Sequence, residues 1–425
     1  MQELLYLVHR IPYPPNKGDK IRSYHLLKYL SRHYRIHLGT FVDDQNDLKY
    51  LDTVRDFCGD TFFANLRPTA ARLRSLYGLV SRGPLTLHYY QDKGLQDWVN
   101  DVLQRRPIKK VLVFSSAMAQ YVRRAGGIRR IIDFVDIDSD KWMQYAATTK
   151  WPMNWIYRRE SRLLLGYERQ VAQEFDSATF VSEKEAELFK RLAPEAAAKV
   201  NYFNNGVDAD YFSPQNLYPD PYPVGVDPVV FVGAMDYWAN IDAVDWFVRT
   251  VLPVVRACLP KVRFYIVGAR PTAAVLALAS VEGVCVTGSV SDVRPYLAHS
   301  ALAVAPLRIA RGVQNKVLEA MAMEKIVVAS PQAAEGICAI PGQELVVAND
   351  KITFASRVIA TLQAGPELKR EMCLAARVRV LESYSWEKNL KRLGSLLSRP
   401  QGIHAVNGLR SDPQRHFLPI GDDAA

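Results

Sequence analysis

Along the first two hundred residues, short aliphatic and β-branched runs alternate with longer stretches in which apolar positions recur at helical spacing. The runs predict strands at Leu4–His9, Ile36–Phe41, Lys110–Phe114, Ile131–Val135, Ala178–Val181 and Val200–Phe203. The stretches between them predict helices that include Ile21–Ser31, Leu95–Gln104 and Arg158–Glu174. Such an alternation implies a doubly wound parallel sheet. The pattern then breaks. Asn204-Asn205-Gly206-Val207-Asp208 is followed by Ser213–Asp227, which holds four prolines with Asp and Gly between them and reads as a linker. A second alternation follows, with strands expected at Val229–Val232, Arg263–Val267, Val284–Val286, Leu302–Ala305, Ile326–Ala329 and Leu345–Val347. Helices are expected over Ile241–Val254, Gln314–Met323, Thr353–Gln363 and Trp386–Leu397.

The fold expected is therefore α/β, with two Rossmann-like doubly wound domains facing across a cleft. Residues 1–212 form the first, 213–227 the linker and 228–385 the second. Residues 386–398 form a terminal helix that packs back toward the first domain, and 399–425, lacking apolar periodicity, a disordered tail. Ligands in such sheets bind beyond the carboxyl ends of the strands, so the loops after strands are the places to look for chemistry.

Composition adds a charge problem. The chain of 425 residues is 49% hydrophobic, ordinary for a globular protein, but carries 54 Lys and Arg against 44 Asp and Glu, a net charge of +10. A basic surface suits nucleic acid, an anionic membrane face or a phosphorylated ligand. The five cysteines have no CxxC spacing, which argues against a zinc site or disulfide framework. The N-terminus reads as a buried strand rather than a signal peptide, and no apolar run approaches the ~18 residues of a membrane span. A cytoplasmic protein is expected.

The segment Arg308 to Met323 is the richest in candidate chemistry. It leaves a strand, turns at Gly312 and opens a helix near Gln314. Backbone N–H groups at a helix N-terminus attract anions, and Arg308, Arg311 and Lys316 surround this one, a set suited to a diphosphate. Asn315 opens the helix, and Glu319, one turn in, suits the vicinal hydroxyls of a sugar. The plainer reading is a solvated basic loop with Glu319 as a helical partner of Lys316. Gly18 sits at the first strand-to-helix turn, where absence of a side chain lets backbone approach a ligand. Gly233 ends the first strand of the second domain. Gly268 and Val290 lie in loops after the next two strands, where they border a nucleotide base or simply connect elements. Asp136, within Asp133-Phe134-Val135-Asp136-Ile137-Asp138, follows a strand. It either lines the acceptor side and handles a hydroxyl proton or belongs to an acidic helix cap. Metal binding by the Asp-x-Asp pair is the less favoured reading.

Three consecutive pieces are similar to the C-terminal signature of family-4 glycosyltransferases: Gly312-Val313-Gln314-Asn315-Lys316-Val317-Leu318-Glu319, Ile326-Val327-Val328-Ala329-Ser330 and Ala334-Glu335-Gly336. With Pro12 to Arg22, Asp133 to Ser139, Phe180-Val181-Ser182 and Phe231 to Asp236, the chain resembles the sugar transferases associated with exosortase exopolysaccharide systems, over roughly residues 1–398. The resemblance implies a GT-B fold and transfer, with retention, from a nucleotide diphosphate sugar to a glycan or lipid-linked acceptor. It implies no cofactor and no metal. In it, Lys316, Arg308 and Asp136 carry the chemistry, and Gly18, Gly233, Arg308, Arg311, Asn315, Lys316, Glu319, Gly268 and Val290 surround the donor. The sequence departs from the family in two respects: Arg311 stands where the family usually has a glutamate on the donor sugar, and the stretch from Gly233 to Asn240 lacks the basic residue that many relatives carry after that glycine.

Basic runs concentrate in the first domain, at Arg67–Arg74, Arg105–Lys110, Arg123–Arg130 and Arg158–Arg162, interleaved with Leu73, Leu76, Tyr77 and Trp155. They read either as a surface for the inner face of the plasma membrane or as solvated helix faces; nucleic acid is not expected. A phosphosugar epimerase, a phosphorylase and a non-catalytic membrane-associated scaffold remain alternatives on the same fold.

Overall fold

The computed structural model describes residues 1–398 apart from Asn16, Arg82, Arg124 and Arg311. The expectation for 399–425 lies outside the described residues. The first domain holds a seven-stranded parallel sheet in the order β3-β2-β1-β4-β5-β6-β7. Its strands are β1 (Gln2–Val8), β2 (Tyr34–Val42), β3 (Asp60–Asn65), β4 (Lys110–Phe114), β5 (Arg129–Val135), β6 (Ser177–Phe180) and β7 (Val200–Tyr202). The second holds six parallel strands in the order β10-β9-β8-β11-β12-β13. These are β8 (Asp227–Val232), β9 (Val262–Val267), β10 (Val284–Gly288), β11 (Leu302–Ala305), β12 (Val327–Ala329) and β13 (Val346–Val347).

In β1, Leu5 and Leu7 join the core on one face of the sheet, while Leu4, Tyr6 and Val8 join that on the other. Helices cover both faces, as continuous apolar strands require. The strand order reverses between β1 and β4 and again between β8 and β11. At such a switch point adjacent strands send their following helices to opposite faces, which opens a crevice at the carboxyl end.

The edge strand β3 had no counterpart in the predicted pattern. Its Asp-Thr-Phe-Phe-Ala-Asn sequence is half-buried along most of its length, so it has neither the alternation of a two-sided strand nor the continuous apolar run of a central one.

Within the described residues the chain crosses between the domains twice. After β7 it passes through Asn205, Gly206 and Val207 into the linker; it returns at Ser383–Trp386. The two crossings touch: Val207 N–H donates to Tyr384 C=O at 2.8 Å, and Asn389 Nδ2 donates to Asn205 C=O at 3.2 Å. A side chain on Gly206 would collide with Trp386. The terminal helix Trp386–Ser398 then packs on β5 and the helix Gly18–Ser31, burying Leu390, Leu393 and Leu397 in the core they share, with Trp386 stacked on His25 at 4.4 Å.

Candidate functional site

The switch point of the second sheet brings together two loops that are distant in sequence. The loop after β8 begins at Gly233, and the loop after β11 leads into the helix Asn315–Ala322. Gln314 stands at its N-cap, with no side-chain bond to the first turn among the described residues. Lys316 lies in that turn. Its ammonium donates to Asn240 Oδ1 at 2.5 Å and sits 4.5 Å from the centre of the Phe231 ring. Asn240 is fixed in turn by donating to Ala234 C=O at 2.8 Å. Gly233 makes the arrangement possible, since a methyl group there would stand 2.8 Å from Asn240 Nδ2 and 3.3 Å from the Lys316 amine. Burial pulls the Lys316 amine down to about 7, against the favourable pull of Glu319. Burial likewise pushes the Glu319 carboxyl up to about 7, while Lys316 opposes it. Among the described residues, no ion pair is formed by Lys316.

Gly268 packs against the same loop. Its φ of +154° and a Cβ position 1.7 Å from Gly233 C=O leave room for no other residue. Val290 is half-buried in the loop after β10, just beyond Gly288, whose φ is +70°. Arg308 is exposed, and its guanidinium forks onto the Asp242 carboxylate, with Nε donating to Oδ2 at 2.9 Å. It is thus held by a protein anion. Arg311 lies outside the described residues.

Across the cleft, Asp136 follows β5. Lys141 holds its Oδ2 at 2.9 Å and also reaches Asp138 at 3.3 Å. The other oxygen, Oδ1, faces Gly312 of the second domain, whose φ is +62°. Val135, immediately before Asp136, has a φ of +71°. That backbone is costly for a β-branched residue and is kept only where surroundings impose it. Here a break in β5–β6 register between Asp133 and Val135 accompanies it. Gly18 opens the first helix, but its Cβ position meets nothing within 4 Å. Asp19 beside it instead ties the turn down, receiving Arg10 at 2.6 Å and His9 at 3.3 Å.

Sequence reasoning missed a buried network in the first domain and the contacts that reach from it to the second. Arg22 and Asp133 form a wholly buried ion pair at 2.7 Å. Arg22 Nη1 also donates to Asn205 Oδ1 at 2.8 Å, and the Asn205 amide reaches Asn315 Oδ1 at 3.4 Å. Tyr145 meets Trp238 across the cleft with ring centres 6.3 Å apart, and Lys184 pairs with Glu335. Partners of this kind are set by tertiary placement, and nothing in the local sequence marks them. Among the described residues, no group of three or more His, Cys, Asp or Glu side chains is placed to hold a metal ion.

Residues 227–364, most of the second domain, match the family described as "Glycosyl transferases group 1". No curated protein matches the sequence. Among solved structures, a glycosyltransferase from Rickettsia africae ESF-5 superposes with a TM-score of 0.65 at 15% identity, covering 94% of this chain and 100% of that one. Sucrose-phosphate synthase from Thermosynechococcus elongatus gives 0.65 at 17%, covering 93% and 98%. Anabaena Alr3699/HepE in complex with UDP gives 0.64 at 13%, covering 93% and 100%. The chain has the two-domain, Rossmann-like GT-B fold, and the match of its second domain supports a glycosyltransferase of that fold.

Proposed function

We propose that the protein transfers a sugar from a nucleotide diphosphate donor to a glycan or lipid-linked acceptor, in the assembly of an exopolysaccharide or another cell-surface polysaccharide. The observation that carries the proposal is Lys316: a desolvated amine in the first turn of a helix, hydrogen-bonded only to a neutral amide among the described residues. A leaving diphosphate supplies the missing anion, and a preorganised cation in a dry site stabilises it more than water does. The UDP bound to the similar Anabaena structure supports a donor of this class. Glu319, on the same helix, takes the ribose hydroxyls. Gly233, Gly268 and Val290 border the nucleotide with backbone.

In the reaction, the bond from the sugar's anomeric carbon to the diphosphate oxygen breaks and one to the acceptor hydroxyl oxygen forms. The hydroxyl proton leaves toward Asp136, which faces the second domain. Retention of configuration, a metal-free site and a role at the cytoplasmic face of the membrane belong to the same reading. Arg308 joins the phosphates only by leaving Asp242, so Lys316 and the helix terminus bear most of the charge.

The test is a thermal-shift screen against nucleotides and nucleotide sugars, since a ligand that binds the folded state raises apparent stability. The expected result is a rise with one nucleoside diphosphate and its sugar that Lys316→Ala abolishes, with turnover falling about a hundredfold. A chain stabilised by none of them, or a Lys316→Ala variant with near-normal turnover, would remove the assignment.

A further inference from the structure

The helix Pro68–Val80 is amphipathic in an inverted sense. Its small residues Ala71, Ser75 and Gly78, at helical spacing, turn inward, and a methyl group on Gly78 would stand 2.9 Å from His88 and 3.0 Å from Leu85 of the short helix Leu85–Tyr89. Its larger residues Leu73, Leu76, Tyr77 and Val80, spaced i, i+3, i+4 and i+7, form one stripe, and all face solvent, with Leu73 72% and Val80 80% exposed. Among the described residues nothing covers this apolar helix face.

The hairpin is fixed rather than loose. The buried Glu160 carboxylate accepts from Leu85 N–H at 2.7 Å and Thr86 N–H at 2.9 Å, and Arg159 donates to Gly78 C=O at 2.6 Å. Both belong to the helix Met153–Glu174, whose entry carries three more exposed apolar side chains, Trp151, Met153 and Trp155. The stripe and the tryptophans therefore lie on two elements that are bolted together.

Charge identifies the occupant. No Asp or Glu occurs from Leu66 to Gln91 or from Lys141 to Arg159. Arg67, Arg72, Lys150 and Arg158 are exposed in these segments, and among the described residues none of them forms an ion pair. Exposed arginines elsewhere do find partners, as Arg55 does with Asp52, Arg169 with Glu195 and Arg249 with Asp245. Apolar and indole side chains flanked by unpaired cations match an anionic bilayer, whose headgroups take the charge while its acyl boundary takes the stripe. The patch also borders the cleft: Tyr90, just past the hairpin, lies 5.8 Å from the His9 ring at the end of β1.

We infer that the hairpin Pro68–Tyr89 and the entry of the Met153–Glu174 helix together form a docking surface for an anionic lipid bilayer, beside the acceptor side of the cleft. This rests on the glycosyltransferase reading only for its purpose, the delivery of a lipid-linked acceptor; the surface itself stands on its own residues.

The test is co-sedimentation of the full chain with vesicles of phosphatidylcholine alone and with phosphatidylglycerol added, alongside single-stranded RNA as a competing polyanion. Binding is expected to the anionic vesicles and not to the neutral ones. Leu73→Glu with Leu76→Glu should weaken it at least tenfold, and Trp151→Ala with Trp155→Ala should do so independently. Thermal midpoints and nucleotide-induced shifts should stay as in the wild type. Wild-type chain that ignores anionic vesicles, variants that bind as the wild type does, or tighter binding to RNA than to vesicles would each overturn the inference. Loss of nucleotide binding in the wild type would instead sink the glycosyltransferase reading and leave the lipid surface standing.

Discussion

Asp136 stands against the backbone of Gly312: a methyl group on that glycine would lie 3.0 Å from Asp136 Oδ1. One residue comes from the first domain and the other from the second, so the Asp136 carboxylate and the loop that leads to Lys316 meet across the cleft. Gly312→Ala forces a side chain into a left-handed backbone at about 1–2 kcal/mol and pushes on that carboxylate. Urea unfolding should show a loss of that order, and transfer activity should fall by more than the stability loss explains. Unaltered transfer would separate the loop from the reaction.

Gly268 is the more severe case. Its Cβ position lies 1.7 Å from Gly233 C=O, so Gly268→Ala must move the strand-end loop itself. Gly268→Ala is expected to lower soluble yield and thermal midpoint more than Gly312→Ala does, and to abolish nucleotide-induced stabilisation in whatever folds.

Lys316 links binding to protons. Its amine, held down to about 7 by burial, is largely neutral in the empty cleft at pH 8.5, while a diphosphate favours the ammonium. Nucleotide binding at that pH should take up about one proton. Calorimetry in two buffers of different ionisation enthalpy measures this directly. Lys316→Arg, charged at every accessible pH, should remove the uptake.

Glu168 makes stability depend on pH. It is buried beneath the Asp136 segment, accepting from Ser139 Oγ at 2.5 Å, and burial, then the nearby Asp138, push its carboxyl up to about 8. Between the ordinary carboxyl range and about 8, the folded chain keeps a proton that the unfolded chain has released. This contribution to stability is therefore full in acid and is lost as pH rises through that window. Urea midpoints from pH 5 to 8.5 should fall less steeply in Glu168→Gln than in the wild type.

The pair Arg22–Asp133 should be the costliest to break. Both side chains are wholly buried, and Arg22 also lies 3.8 Å over the Phe203 ring. Arg22→Met leaves Asp133 uncompensated and should cost about 3–5 kcal/mol, whereas Arg22→Met with Asp133→Leu should cost less than the sum of the two single changes. Chemical denaturation of the three variants decides it.

The two sheets and the cleft were legible because parallel strands must be apolar on both faces, and runs such as Val229–Val232 and Leu302–Ala305 show that directly. That Lys316 and Glu319 share one helix turn was legible because that relationship is local in sequence. Asn240 and Asp242 were not. They sit on the helix Trp238–Trp246, and what links them to Lys316 and Arg308 is the neighbouring of β8 and β11, which no local spacing records. β3 escaped because an edge strand needs little apolar surface. The exposed stripe of Pro68–Val80 has ordinary helical spacing; only the fold reveals that it points outward.

The paired crossings at Val207 and Tyr384 bear on how the cleft opens. One covalent connection acts as a ball joint, about which two bodies swing and twist freely. Two connections define a line, and motion that stretches neither strand is rotation about that line. The lips of the cleft therefore travel along an arc, as covers do about a spine. Parts farthest from the spine move most, while the Arg22–Asp133 pair beside it scarcely moves.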